Sequence, residues 1–143
     1  KPSSSDGYRM LIDRLWPRGV KKEDAKLDEW NKEIAPSAEL RKWFDHKEER
    51  LPEFTERYTK ELQLHSDELT RIKEISKTKK VCLLYGAKNS HINQAVVLLN
   101  ILTQNDTEKL EYSNRGNGRF NQTWLYSQFF NCRWRGLYCL PCT

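Results

Sequence analysis

The sequence lacks any long hydrophobic run. Its longest apolar stretches, residues 81–87 and 95–102, are far shorter than the about 20 residues that a membrane-spanning helix needs. The opening residues KPSSSDG also lack the apolar centre of a secretory signal peptide. These two absences argue against a membrane protein or a secreted one, and we expect a cytoplasmic protein without membrane partners.

Cysteine is scarce, with four residues in the chain. Cys139 and Cys142 form a CxxC motif, but the tail holds neither a second such pair nor histidines at zinc-ligand spacing. We therefore predict no metal site and no cofactor, and the roles of Cys132, Cys139 and Cys142 stay open. Without a signal peptide we expect no disulfide framework, and Cys82 is expected to pack as a small core hydrophobe.

Phosphate-binding glycine motifs are absent as well. The segment around Gly86 matches neither GxGxxG nor the P-loop pattern. The sequence therefore gives no motif support for dinucleotide or nucleoside triphosphate binding. It also contains no internal repeat.

What the sequence does contain is enough length for one domain and an uneven charge. The chain has 143 residues and a formal net charge of +5. Residues 23–77 carry 11 basic and 15 acidic side chains, whereas residues 78–102 carry three lysines and no acid. Because the positive excess flanks an acidic middle, the charge does not predict a general nucleic-acid surface.

Two segments read as strands. Tyr8 to Leu15 is mostly apolar and stops at the Trp-Pro-Arg-Gly turn signal of residues 16–19. Val81 to Tyr85 is a continuous apolar run, which is typical of a strand buried on both faces.

Apolar residues at three- and four-residue intervals predict helices between and after these strands. Ser37 is placed to cap the second helix, after Pro36 ends the first. The predicted helical faces are Leu27, Trp30 and Ile34; Leu40, Trp43 and Phe44; Leu51, Phe54, Tyr58 and Leu62; Leu69, Ile72 and Ile75; and residues 92–102.

Strand, helices, strand and helix in this order predict an α/β fold, a small parallel sheet with helices packed on it. Two strands are too few for a stable sheet, so further strands must come from upstream, from the tail or from both. We assign residues 1–102 to this α/β domain and leave residues 103–143 as an unassigned aromatic and cysteine-containing tail. In the tail, residues 123–130 and 137–140 are candidate strands.

Several motifs resemble one known family. They are LIDRLWPRG followed by APSAELRKWF, then DH at Asp45 and His46, EFTERYTKEL, and LLYGAKNSHINQAVVLL. This pattern, over about residues 5–102, resembles the domain of unknown function (DUF) 488 family, in its YeaO-like group. The resemblance implies a small cytoplasmic α/β domain with one further strand upstream of the DGYR segment, which this chain lacks. It brings no established activity.

The site prediction follows from the strand order. Loops at the carboxyl ends of neighbouring parallel strands meet at one edge, where α/β folds bind ligands. The first loop would supply Arg14, Trp16 and Arg18, and the second Lys88 at the start of a helix, which favours an anion. The residues that we single out are Asp13 and His91 as an acid/base pair, and Arg14, Trp16, Arg18, Lys88 and Asn93 for ligand binding.

Structural explanations stand beside these assignments. Trp16 can pack as core, Asn93 can cap the last helix, and His46 can satisfy a helix end. We therefore predict binding of a small phosphate- or carboxylate-bearing ligand, and leave open whether the protein is an enzyme and whether it forms oligomers.

The alternative places the function in the tail. There, arginines interleave with aromatic residues, as in Arg119, Phe120, Trp124 and Arg133. Such a mixture can stack on bases and neutralise phosphates, so a non-enzymatic module that binds nucleic acid or a protein is the second hypothesis.

Overall fold

A computed structural model of the chain describes residues 2, 6–87, 89, 91–107 and 138–142. The strands are β1 Tyr8–Leu11, β2 Glu29–Trp30, β3 Val81–Tyr85 and β4 Tyr138–Cys142. The helices are α1 Lys22–Ala25, α2 Ala38–Phe44, α3 Leu51–Gln63, α4 Ser66–Thr78 and α5 Gln94–Thr107.

The strands form one sheet in the order β2-β1-β3-β4. β1 is parallel to both β2 and β3, and β4 is antiparallel to β3. The predicted α/β class with a small parallel sheet is therefore confirmed. The central pair β1 and β3 is in register from Tyr8 opposite Val81 to Leu11 opposite Leu84, so both strands end at the same edge.

The two faces of the sheet are covered unequally. Side chains alternate across a strand, so Met10 and Leu83 point to one face, and Leu11 and Leu84 to the other. The first face packs against α2, α3, α4 and α5 in a core of 18 buried residues. Among the described residues, the second face has a smaller cluster of five buried residues that Trp16 helps to cover.

The helices α2 to α5 form close to where their apolar spacing predicts them. Ser37 caps α2 as expected, because its hydroxyl oxygen accepts a hydrogen bond from the Leu40 backbone N–H at 3.2 Å. In α3 the buried side chains are Phe54, Tyr58 and Leu62, a helical stripe at four-residue spacing.

The helix predicted from Glu23 is wrong beyond its first turn. The helix α1 ends after Ala25, and Lys26 adopts a left-handed conformation (φ 44°). The chain then joins the sheet edge, where the backbone N–H groups of Asp28 and Asn31 donate to the carbonyls of Arg9 and Leu11 at 2.9 Å each. Pairing with β1 thus overrides the helical spacing of the apolar residues.

Cys82 lies fully buried in β3, as predicted for a core residue. It is also disulfide-bonded, which the sequence analysis did not predict for this residue. The candidate strand at 137–140 corresponds to β4, and residues 123–130 lie outside the described residues. Among the described residues, no helix has the length and apolar character to cross a membrane.

Candidate functional site

The carboxyl ends of β1 and β3 lie side by side, as the sequence predicts. The backbone N–H of Ile12 donates to the Leu84 carbonyl at 2.9 Å, just beyond the last paired residues. Asp13 follows directly, and Gly86 is the first residue after β3. The two loops thus begin in direct contact, at the edge where ligands of α/β folds bind.

The Asp13 carboxylate bridges these loops. Its Oδ2 accepts a hydrogen bond from the backbone N–H of Gly86 at 2.6 Å, and its Oδ1 accepts one from the Gln94 side chain at the start of α5. A Cβ atom at Gly86 would lie 2.9 Å from this Oδ2, so the glycine permits the close approach. Burial raises the pKa of Asp13 to about 6, although the hydrogen bond from Gly86 opposes the shift.

Two basic residues, Arg41 in α2 and His46 just after it, act electrostatically on Asp13. The charges of Arg41 and His46 both act to lower the pKa of Asp13, although burial outweighs them. Both side chains are exposed at this edge. His46 Nδ1 lies 3.4 Å from the carbonyl oxygen of Ile92, and its ring centroid lies 5.5 Å from that of Phe44.

The backbone that presents His46 is strained. Asp45 and His46 are consecutive residues with φ values of 47° and 52°, in the left-handed region that costs energy for residues other than glycine. Asp45 ends α2, and its backbone N–H still donates to the Arg41 carbonyl. The turn therefore directs His46 toward the loop before α5, and strain of this kind is enriched at functional sites.

The predicted arginines lie in the loop after β1, and both are exposed. Arg14 donates from Nε to the Pro36 carbonyl at 3.2 Å and from Nη2 to the Ala35 carbonyl at 3.4 Å, which anchors it to the segment before α2. Arg18 follows the half-buried Pro17 in the same loop. Lys88 lies outside the described residues.

The other predicted residues take more structural positions. The Trp16 indole N–H donates to the Val20 carbonyl at 2.6 Å, and the ring packs edge-on against Trp30 with centroids 5.3 Å apart. Asn93 is fully buried and caps α5, accepting hydrogen bonds from the backbone N–H groups of Ala95 and Val96. These contacts give Trp16 and Asn93 structural roles, and their part in ligand binding stays a prediction.

His91 is exposed, and its backbone N–H donates to the Asn89 side chain at 2.8 Å. Its predicted role as the acid/base partner of Asp13 stays a prediction. Within the described ranges, no three His, Cys, Asp or Glu side chains are grouped so that they could hold a metal ion.

Sequence reasoning missed Arg41 and Gln94, and explained His46 as a helix-end residue. The Asp-His pair at residues 45–46 could have indicated a turn after α2. Residues at a helix end can adopt the left-handed conformation, which redirects the chain. The pairing of Gln94 with Asp13, which lies 81 positions earlier, has no local signature. The arginine- and aromatic-rich tail lies outside the described residues, except for β4.

Together these observations define a small α/β domain with a charged cluster at the carboxyl edge of its parallel strands. A family model described as the inactive DUF488-N3 subclade matches residues 1–118. The chain belongs to the DUF488 family, in agreement with the resemblance of its motifs.

Three relatives illustrate the match. The uncharacterized protein YeaO of Escherichia coli is 53% identical over 94 residues, which cover 66% of this chain and 82% of that protein. The uncharacterized proteins Rv3073c of Mycobacterium tuberculosis and Mb3100c of Mycobacterium bovis are each 37% identical over 97 residues, covering 68% of this chain and 81% of each relative. No solved structure matches the chain significantly.

Proposed function

We propose that the domain binds a small anionic ligand, bearing phosphate or carboxylate, at the strand-end site. This site comprises the side chains of Asp13, Arg14, Arg41, His46 and Gln94 and the backbone N–H of Gly86. The observation that supports the proposal is the contact between the loops after β1 and β3, which Asp13 bridges through Gly86. An edge of this kind is where α/β folds bind ligands.

The cations around this edge favour an anion. Arg41 in α2 and His46 just after it act on Asp13. Arg14 is anchored by backbone carbonyls that leave its Nη1 group without a hydrogen bond among the described residues. A guanidinium fork is suited to two-point recognition of phosphate or carboxylate. Arg18 and Lys88 are the further candidate ligands from the sequence, and a cytoplasmic location is part of the proposal.

A binding role is favoured over turnover by the family description. The model that matches this chain is described as an inactive subclade. The raised pKa of Asp13 would suit a residue that exchanges protons near neutral pH. In our proposal the same carboxylate holds the two loops together and contacts the ligand, and no reaction follows.

The test is a thermal-shift screen of phosphorylated and carboxylated metabolites. We expect at least one compound to raise the melting temperature of the wild-type protein, and Arg41→Ala and Arg18→Ala to weaken that effect. The control for Arg41 is Lys42→Ala, which removes an exposed cation from the next position of α2. Equal stabilisation of the Arg41 and Lys42 variants would contradict the site, and no stabilising compound would contradict the function.

A further inference from the structure

The strand-end site contains an anion of its own. Asp13 lies between the Gly86 N–H and the Gln94 amide, and each of its two oxygens accepts one described hydrogen bond. A carboxylate oxygen has two acceptor positions, so Asp13 retains capacity for further donors. Asp13 is half-buried rather than sealed in the core, so a ligand at this edge can approach it.

A ligand that approaches Arg41 and His46 also approaches the charge of Asp13. Two like charges about 4 Å apart repel by about 1 kcal/mol in water and by about 4 kcal/mol near a protein surface. An anion without a donor therefore meets a penalty at this edge. A ligand that carries a hydroxyl or ammonium group beside its anionic group converts the repulsion into a charge-assisted hydrogen bond.

We infer that the strand-end site selects anions that also carry a hydrogen-bond donor next to the anionic group, and that Asp13 is the residue that recognises this donor. The inference rests on the proposed function and adds its ligand class, namely hydroxylated or amino-bearing phosphates and carboxylates. Arg41 and His46 contact the anionic group, and Asp13 accepts from the neighbouring hydroxyl or ammonium.

The surroundings of Asp13 support this division of roles. Arg41, His46 and Tyr58 are described charged or titratable groups that interact electrostatically with Asp13. The Tyr58 hydroxyl already donates to the Ile34 carbonyl at 2.5 Å, so it is committed within the core. Asp13 is thus an acidic acceptor with spare capacity at this edge, and Arg41 and His46 approach it from α2 and the turn after α2.

The test compares matched ligands by isothermal titration calorimetry. Propyl phosphate and glycerol 3-phosphate have the same anionic group and chain length and differ in two hydroxyls, and propionate and lactate form the matching carboxylate pair. For the wild-type protein we expect the hydroxylated member of a pair to bind at least about tenfold more tightly. Arg41→Ala should weaken both members of that pair.

Asp13→Asn separates recognition of the donor from recognition of the anion. It removes the negative charge and keeps the shape, so the plain anion should bind more tightly and the preference should fall to about threefold or less. The control Asp67→Asn removes an exposed carboxylate from the first turn of α4 and should leave the preference unchanged.

The outcomes distinguish the inference from the proposed function. If both members of a pair bind equally, and Arg41→Ala weakens both, the site binds anions and the inference about Asp13 is wrong. If the preference is unchanged in Asp13→Asn, another residue recognises the donor, and the inference is again wrong. If the wild-type protein binds neither pair, the proposed anion site and the inference both fail.

Discussion

The molecule contains two clusters in which carboxylates meet cations, and they are built differently. In the strand-end site, Asp13 bonds to an amide N–H and a side-chain amide, and its cations act from a distance. In the second cluster, the Arg71 network, the Arg71 guanidinium donates directly to Glu29 and Glu68. Tyr8 also donates to Glu29, and Asn31 to Glu68, at 2.8 Å each.

The pKa values of the two clusters move in opposite directions. Burial alone would raise the pKa of Glu29, but hydrogen bonds from Arg71 and Tyr8 bring it below its usual value. The hydrogen bond from Arg71 likewise lowers the pKa of Glu68. Asp13 has no direct guanidinium partner among the described residues, and burial raises its pKa. The Arg71 network joins the sheet edge to α4, whereas the strand-end site retains a charge at an energetic cost.

Acid should therefore affect the two clusters with opposite sign. A lowered pKa in the folded state gives Glu29 and Glu68 a stabilising contribution above their unfolded pKa, which is lost as the pH falls through the folded value. Asp13 binds a proton more readily in the folded state, so its ionisation destabilises the fold at neutral pH. That cost is relieved as the pH falls through about 6 toward the unfolded pKa of 3.8.

The largest expected effect comes from Asp13→Asn. A pKa raised from 3.8 to about 6 corresponds to about 3 kcal/mol of ionisation cost in the folded state. The neutral asparagine removes this cost, but its NH2 group cannot accept the hydrogen bond that one carboxylate oxygen accepted, which costs about 1 kcal/mol. We therefore expect the free energy of unfolding to rise by about 2 kcal/mol at about pH 7.5 and to change little at about pH 4.5. Urea denaturation of both proteins at the two pH values measures the difference.

The control for this prediction is Asp67→Asn, in the exposed first turn of α4, which should show no comparable advantage at neutral pH. An Asp13→Asn protein that is less stable than the wild type at neutral pH would show that the carboxylate stabilises the fold. The contrast with the Arg71 network would then be lost.

Gly86→Ala tests the contact that brings Asp13 to the β3 loop. The new methyl group would lie 2.9 Å from Oδ2 of Asp13, and we expect a loss of about 2 kcal/mol in unfolding free energy. In an Asp13→Ala background the oxygen is gone, so the same substitution should cost less than about 0.5 kcal/mol. If Gly86→Ala lowers the unfolding free energy equally in both backgrounds, the loss comes from a clash with another neighbour of Gly86 and not from Asp13.

The sequence predicts the central strands and α2 to α5 well because their apolar residues repeat at the spacing of the buried face. Phe54, Tyr58 and Leu62, for example, show the four-residue spacing of a single helix. The same rule fails at Trp30, whose indole N–H donates to the Asp13 carbonyl at 2.6 Å from a two-residue edge strand. Such a short strand has no periodicity of its own and depends on pairing with β1.

The residues of the candidate site also differ in whether the sequence could predict them. Asp13 and Gly86 could be predicted, because they follow two strands whose parallel order is readable from the sequence. Arg41 and His46 could not, because their position depends on where α2 ends and on two left-handed residues after it. The local sequence pattern thus predicts the sheet edge at which the site lies. Tertiary packing determines which helix supplies the positive charges there.

Arg71→Ala tests the Arg71 network. Its side chain is 39% exposed, so solvent screens its ion pairs, and we expect a loss of about 1 kcal/mol at neutral pH. The loss should shrink as the pH falls below the pKa of the glutamates, because protonated Glu29 and Glu68 no longer need the guanidinium. The matched control is Lys77→Ala, which breaks an exposed pair with Glu74 and should cost a few tenths of a kcal/mol. Equal losses in the two variants would show that the Arg71 network adds nothing beyond a surface ion pair.

The smallest expected effect on stability comes from His46→Gly. The same variant should give the sharpest contrast between stability and binding, because it should gain stability and lose affinity for the anion. Glycine adopts the left-handed conformation freely, and the relief of strain outweighs the lost contact with Phe44, so we expect a gain of about 0.5 kcal/mol. The same variant should weaken binding of the best anion from the thermal-shift screen by about tenfold. Asp45→Gly relieves the same strain one residue earlier and should leave binding unchanged. If both variants bind the anion as tightly as the wild type does, His46 only ends the helix. If only His46→Gly loses affinity for the anion, the strained turn serves to place His46 in the binding site.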